Sequence, residues 1–171
     1  RYGAGDMEGM RRSIGTCTVL SVLFTLLIML VFHIIIDPAL VLMNIPLELL
    51  EDAKAYVMII VDGLFAMMGY NLLSGIMRSL GDSKTPLYFL IVSSVVNIAL
   101  ALFFILVLGW GVPGSAVALV IAQAISAILC LAYIYKRFPQ LHISRKDFWL
   151  DGPEVWAHLR MGLPMAVQFS V

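Results

Sequence analysis

Charged residues are scarce in this chain. Asp, Glu, Lys and Arg make up 13% of its 171 residues, whereas soluble domains carry roughly 25%. Hydrophobic residues make up 61% and the mean hydropathy is +0.98, well above the roughly 45–50% apolar content of soluble domains. The formal net charge is zero, so no basic field favours nucleic acid. This composition argues against a water-soluble enzyme and indicates a membrane protein.

Residues with reactive side chains are also few. The two cysteines, Cys17 and Cys130, lie inside apolar runs and cannot build a disulfide framework or a zinc site. The His, Ser and Cys residues show no triad arrangement and no metal-ligand spacing. We therefore predict no catalytic residues, no metal site and no cofactor.

The two ends of the sequence lack the features of a complete chain. The sequence begins at Arg1 without Met and without a signal peptide, and it stops at Val171 inside an apolar stretch that has just begun. We expect an internal piece of a longer polypeptide, with the remainder of that polypeptide as its partner.

Four apolar runs are long enough to cross a bilayer, whose core of about 30 Å needs about 20 helical residues. They cover residues 17–36, 55–77, 87–108 and 114–135. Because backbone groups in lipid must be satisfied internally, these runs are predicted to be helices. The fold class is therefore an all-α, polytopic transmembrane helix bundle with four complete spans, and a fifth span starts near Met161.

The basic residues of the connecting segments predict the orientation. Segments 1–16, 78–86 and 136–160 hold ten of the eleven Lys and Arg residues, and the opposite side holds only Lys54 among several acids. The positive-inside rule places these three segments in the cytoplasm. We expect a multi-pass protein of the cell (inner) membrane.

Four connections carry local signals. Pro46 indicates a short outer helix that begins there. The turn at 109–114, rich in Gly, predicts that the third and fourth spans are antiparallel neighbours. Gly81 and Asp82 predict a turn, with Pro86 opening the next helix at its first position. Capping pairs and aromatic residues in 136–160 favour short helices on the inner membrane surface, and a solvated linker is the alternative.

A stripe of small residues runs along the fourth span. Its members are four residues apart and share one helix face: Gly114, Ala118, Ala122, Ser126 and Cys130. Small side chains let helix backbones approach closely in lipid. This face is predicted to pack tightly against a neighbouring helix.

Polar residues near the middle of the bilayer are candidates for substrate or cation binding. Asn97 lies near the midplane of the third span, with Ser93 one turn before it, and Gln123 lies at similar depth in the fourth span. Because a tight turn joins these spans, Asn97 and Gln123 could face one cavity. The alternative is that they form interhelical hydrogen bonds that hold the helices together.

The second span carries its own candidates. Asp62 is the only acid within a predicted span, and we expect its carboxylate to be desolvated. Intramembrane carboxylates often carry protons or cations, although an acid at this depth can also reach water or form a structural pair. Tyr70 and Asn71 lie deeper in the same span as further candidates.

Five stretches of the sequence resemble one known family, the multidrug and toxic compound extrusion (MATE) transporters. Residues 1–12 (RYGAGDMEGMRR) resemble the loop before that family's third helix, and residues 70–86 (YNLLSGIMRSLGDSKTP) resemble the end of helix four with its inner loop. Residues 93–104 resemble helix five, 109–126 the turn into helix six, and 160–171 the start of helix seven. The stretches occur in the family's order and cover nearly the whole chain.

The resemblance implies two pseudo-symmetric lobes of six helices. Residues 1–135 would belong to the N-terminal lobe as helices three to six, 136–160 would be the cytoplasmic loop joining the lobes, and 161–171 would begin the C-terminal lobe. The family exports small organic cations and amphipathic compounds. It does so by antiport against protons or sodium, by alternating access.

The family's functional residues are only partly present. Many members pair the helix-five Asn with an Asp four residues later, and here Asn97 is followed by Ala101 at that position. A Thr found in helix six of some members is Leu119 here. We therefore hypothesise that Asp62 takes over part of the coupling.

Two other readings compete with a multidrug efflux transporter. A lipid-linked oligosaccharide flippase of related fold would be expected to carry basic residues inside its spans, and the four predicted spans contain no Lys or Arg. A non-transporting membrane scaffold would not need polar groups such as Asn97 and Gln123 at mid-bilayer.

Overall fold

The chain forms a bundle of α-helices in a computed structural model that describes residues 7–139, Gly152, Val155, Trp156 and Arg160. The helices are α1 (Met7–Leu42), α2 (Leu47–Asp62), α3 (Leu64–Ser79), α4 (Lys84–Leu102), a π-helical turn (Phe103–Val107) and α5 (Gly111–Arg137). No strand occurs in this part of the chain. The predicted all-α, polytopic bundle is confirmed.

The C-terminal predictions fall mostly beyond this part of the chain. The surface helices predicted within 136–160 lie outside the described residues, apart from 136–139 and the four isolated positions. The fifth span predicted from Met161 lies wholly outside them.

Three helices are individually long and apolar enough to cross a membrane. They are α1, α4 together with its π-helical turn, and α5. Each extends beyond the span predicted from hydropathy: α1, for instance, continues past residue 36 through Pro38 to Leu42. Hydropathy locates the lipid-buried part of a helix, whereas backbone hydrogen bonding continues beyond the apolar residues.

The second predicted span, 55–77, is not one continuous helix. It is divided at Gly63 into α2 and α3, which are bent by 41° relative to each other. At the break the Ala66 N–H donates to the Gly63 carbonyl at 3.0 Å. This hydrogen bond spans three residues instead of the four that are usual in an α-helix. Glycine is a weak helix former, and here its missing side chain also leaves room for α5. Taken as one bent helix, the pair α2–α3 also meets the length and apolarity needed for a span, which gives up to four spans among the described residues.

The prediction of a separate outer helix after Pro46 is also wrong. Pro46 occupies the N-cap position, and the helix that starts at Leu47 runs without interruption to Asp62. The charged residues at its start therefore form the first turns of that longer helix itself. Pro86 is likewise the third residue of α4 rather than the first, because that helix begins at Lys84.

Helix α5 is the centre of the bundle, because it packs against α2, α3 and α4. All members of the predicted small-residue stripe are buried: Gly114, Ala118, Ala122, Ser126 and Cys130. The predicted close packing of this face is confirmed. In contrast, α1 and α4 expose many large apolar side chains, among them Leu30, Ile34 and Val95. Such surfaces suit contact with lipid.

The described residues at the start of α1, in the 78–86 connector and at the end of α5 lie together at one end of the bundle. Met10 of α1, Met77 of α3 and Ile134 of α5 share one apolar cluster, with Leu80 and Phe138 packed against it. This cluster brings the start of α1, the 78–86 connector and the end of α5 to the same end. The structure therefore agrees with a common side for these segments.

Candidate functional site

Ser93 serves helix packing. Its hydroxyl is buried and donates to the Ala122 carbonyl of α5 at 2.7 Å, while the Ser126 hydroxyl donates in the other direction to the Phe89 carbonyl at 3.2 Å. Two hydrogen bonds thus join α4 and α5 where small residues bring them close. The hydroxyl proton of Ser93 is used in this contact, and substrate or cation binding by Ser93 stays a prediction.

Asn97 and Gln123 lie at different levels of the α4–α5 pair. The two serine hydrogen bonds fix the antiparallel register of α4 and α5, and this register puts Asn97 level with Ala118. Gln123 lies three residues after Val120, which abuts Gly63, and four before Ala127, which abuts Gly69. It therefore lies on the side of α5 that faces α2 and α3.

The Gln123 side chain has an unusual environment. Its Oε1 atom is buried and accepts no hydrogen bond from any described residue. A buried amide oxygen without a donor is costly, and such groups are candidates for contact with a ligand or an ordered water. Binding by Asn97 or Gln123 stays a prediction.

Tyr70 and Asn71 differ in exposure. The buried Tyr70 hydroxyl donates to the Pro86 carbonyl at 3.1 Å and so ties α3 to the first turn of α4. Asn71, the next residue, is exposed. Tyr70 therefore has a packing role, and the part that either residue plays in binding stays a prediction.

Asp62 faces a histidine on the neighbouring helix. Asp62 Oδ1 lies 3.5 Å from His33 Nε2, and the two side chains are 61% and 44% exposed. The described residues therefore leave much of the Asp62 side chain uncovered, because it lies at the end of α2, beside α1 and away from the α5 contact of Gly63. Desolvation of its carboxylate stays a prediction.

The His33 ring is oriented by the backbone of its own helix. His33 Nδ1 lies 2.9 Å from the Met29 carbonyl, which can only accept, so this nitrogen carries hydrogen. His33 Nε2 is left facing the Asp62 carboxylate oxygen.

A second pair joins the same two helices nearer their outer ends. Lys54 of α2 donates to the carboxylate of Asp37 of α1. This link involves neither His33 nor Asp62. Sequence reasoning missed both pairs because the partners lie on different helices. The only signal was their common position near the outer ends of adjacent spans.

The described part of the chain contains no group of three or more His, Cys, Asp or Glu residues that could hold a metal ion. Its polar side chains form pairs and interhelical hydrogen bonds instead.

A sequence model of the family described as MatE matches residues 1–103. The chain belongs to the MatE family. It is a multi-pass membrane protein, and the comparisons point to a transporter rather than to an enzyme.

Curated MatE relatives are similar over most of the chain. The probable multidrug resistance protein YoeA of Bacillus subtilis (strain 168) is 31% identical over 175 residues, which cover 97% of this chain and 37% of that protein. The probable multidrug resistance protein YpnP of the same organism is 33% identical over 131 residues, 76% of this chain and 29% of that protein. The chain thus spans about a third of these relatives' length.

Solved structures of MATE transporters in two different conformations share the fold of this chain. An inward-facing multidrug resistance MATE transporter of the MOP superfamily matches with a TM-score of 0.86 and 30% identity, covering 96% of this chain and 38% of that one. An outward-facing structure of such a transporter matches with a TM-score of 0.88 and 28% identity, covering 98% and 37%. The bundle resembles both states almost equally.

Proposed function

We propose that this MatE chain is a piece of a multidrug efflux transporter. The whole protein would export cationic and amphipathic organic compounds by antiport against protons or sodium. Residues 1–135 would form helices three to six of the N-terminal lobe, 136–160 the joining loop and 161–171 the start of the second lobe. Segments 1–16, 78–86 and 136–160 would face the cytoplasm from the inner membrane.

The near-equal likeness to inward-facing and outward-facing transporters carries this proposal. A bundle that fits both states with TM-scores of 0.86 and 0.88 is suited to moving as one rigid body. Alternating access in many transporters is a rocking of such bodies around a central site. The buried α4–α5 contact and its two serine hydrogen bonds supply the stiffness that rocking needs.

Asp62 is the proposed coupling residue on this chain, with His33 as its partner. The pair lies beside the break at Gly63, where α2 and α3 meet. Gain or loss of a proton there changes the attraction between α1 and α2. A link of this kind converts proton binding into a preference for one helix arrangement.

Mutation of Asp62 in the whole transporter tests this assignment. Asp62→Asn removes the ionisable carboxylate while keeping the side-chain shape, so proton-driven dye efflux should fall to background with expression unchanged. Asp37→Asn is the matched control, because Asp37 is an outer-end acid that pairs with Lys54 instead. Efflux is measured with the proton and sodium gradients collapsed separately.

The results of this experiment distinguish the role of Asp62 in coupling from dye efflux itself. Loss of efflux in Asp62→Asn with retention in Asp37→Asn supports coupling at Asp62. Unchanged efflux in Asp62→Asn removes Asp62 from the mechanism and leaves the efflux proposal standing. Absence of dye efflux from the unmutated protein under either gradient contradicts the efflux proposal itself.

A flippase for lipid-linked oligosaccharides is the alternative of related fold. Such a substrate carries a pyrophosphate, which would require cations inside the transport path. The helical segments between the connectors hold Lys54 as their one cation, and it is already paired with Asp37. The charge pattern therefore favours organic cations over anionic lipids as transported substrates.

A further inference from the structure

Two adjoining cavities open at the basic end of the bundle, between α4 and α5. The first, of about 570 Å³, is lined by the 80–84 connector together with Tyr133, Arg137 and Phe138. The second, of about 400 Å³, shares Tyr133 and Arg137 with the first and continues to Phe89, Leu129 and Ala132. Together they form one cleft, which we call the α4–α5 cleft.

The mouth of this cleft is positively charged. Lys84 begins α4, and Lys136 and Arg137 end α5; all three are exposed and form no ion pair with any described residue. The carboxylate of Asp82 also lines the mouth, but its oxygens already accept hydrogen bonds from Thr85 and Tyr133. Three cations against one carboxylate leave a net positive mouth.

The interior of the cleft is apolar and runs along the membrane helices. Leu129 lies seven residues before Lys136 on α5, about 10 Å along the helix axis. Phe89 of α4 stacks edge-on against Tyr133, with ring centroids 6.0 Å apart, and forms the opposite wall. A cationic mouth above an apolar channel matches a molecule with an anionic head and a hydrocarbon tail.

We propose that the α4–α5 cleft binds one anionic phospholipid of the inner leaflet. The phosphate group lies among Lys84, Lys136 and Arg137, and an acyl chain lies against Phe89, Leu129 and Ala132. Basic pockets between membrane helices on the cytoplasmic side bind such head groups in general. The proposal depends on the membrane orientation proposed above and is independent of transport activity.

Lipid binding to the purified whole transporter tests the proposal. After delipidation in detergent, phosphatidylglycerol should raise the melting temperature more than phosphatidylcholine does, and native mass spectrometry should show it bound. Each Lys or Arg near the surface strengthens anionic binding about fivefold. Lys84→Gln combined with Arg137→Gln should therefore weaken phosphatidylglycerol binding more than tenfold.

Two further variants separate the contribution of the lipid head group to binding from that of the acyl chain. Ala132→Trp fills the apolar channel without changing charge, and because Ala132 is exposed it should leave the fold intact while reducing phosphatidylglycerol binding. Arg78→Gln removes an exposed cation at the same end that does not line the cleft, and should leave binding unchanged.

Three outcomes would overturn the proposal. The first is equal binding of phosphatidylglycerol and phosphatidylcholine. The second is an equal melting-temperature rise with inorganic phosphate or soluble glycerophosphoglycerol, which would mean a free-anion site. The third is equal loss of binding in Arg78→Gln and in the cleft variants, which would mean attraction by the general surface charge.

Discussion

Of Gly63, Gly69 and Gly114, Gly63 is the one where an added carbon would meet its neighbours most closely. A Cβ placed there would overlap Val120 Cγ2 and lie 3.1 Å from Val120 Cβ. Val120 is β-branched and restricted at χ1, so it cannot rotate away easily. The absence of a side chain at Gly63 is what lets α5 approach the break between α2 and α3.

Gly63→Ala should therefore destabilise the transporter, although alanine is the better helix former. Overpacking costs about 1–3 kcal/mol and exceeds the gain in helix propensity of about 1 kcal/mol. The check is thermal unfolding of the purified variant in detergent. Adding Val120→Ala removes the clashing carbons and should recover most of the lost stability. A single Gly63→Ala variant as stable as the parent would contradict the contact.

Asp82 stabilises the start of α4 as a charged cap. Hydrogen bonds from Thr85, first its backbone N–H at 3.0 Å and then its hydroxyl at 2.8 Å, lower the pKa of Asp82 below its usual 3.8. Burial opposes this shift, and a hydrogen bond from Tyr133 adds to it. Because the folded-state pKa is lowered, the stabilisation is present above pH 3.8 and is lost as pH falls through the lower folded-state value.

Asp82→Ala should remove this cap and lower stability by about 1 kcal/mol, the usual cost of losing an N-terminal cap. Melting temperatures of the parent and the variant are compared from pH 3 to 7. The gap between the two melting temperatures should be constant near neutral pH, and it should become smaller as the pH falls below 3.8. A gap that widens on acidification would be incompatible with a carboxylate cap. Tyr133→Phe, which removes one lesser donor, should show a smaller gap.

At the scale of helices, the α4–α5 pair has both hydrogen bonds and close packing. Ser126 is fully buried and donates to the Phe89 carbonyl, so the position combines a polar contact with a restricted volume. Interhelical hydrogen bonds in membranes contribute on average about 0.6 kcal/mol. Close packing is therefore expected to matter more than the hydroxyl.

Two substitutions at Ser126 separate these contributions. Ser126→Ala removes only the hydroxyl and should cost about 0.6 kcal/mol, whereas Ser126→Leu overfills the contact and should cost about 1–3 kcal/mol. Thermal unfolding of both variants gives the comparison, with Ile128→Leu at an exposed α5 position as the neutral control. Equal effects of the Ala and Leu variants would show that volume does not limit this contact.

The helices also show which features the sequence could predict. Residue spacing alone located the buried face of α5, because every fourth residue from Gly114 to Cys130 is small and close packing requires small residues on one face. Hydropathy failed at Gly63, because the run stays apolar across a break that is determined by contact with Val120 on another helix. Pairs such as His33–Asp62 were missed for the same reason, since they depend on how helices are placed side by side.

For the whole molecule, charge distribution predicted more than any single motif. The bias of Lys and Arg toward three connectors gave the topology, and the shared cluster of Met10, Met77 and Ile134 places those connectors at one end. The identity of a binding site was not predictable in this way. Ser93 and Tyr70 hydrogen-bond to backbone carbonyls, a role that the sequence does not distinguish from ligand binding.

The central claim is that the helices cross the membrane with every basic connector on the cytoplasmic side. Its direct test is cysteine labelling of the whole transporter in intact cells, after Cys17 and Cys130 are replaced by Ala. Glu51→Cys, in the first turns of α2, should react with a membrane-impermeant maleimide from outside. Ser83→Cys, in the connector before α4, should react only after permeabilisation. Labelling of Ser83→Cys in intact cells, or of both positions from the same side, would contradict the account.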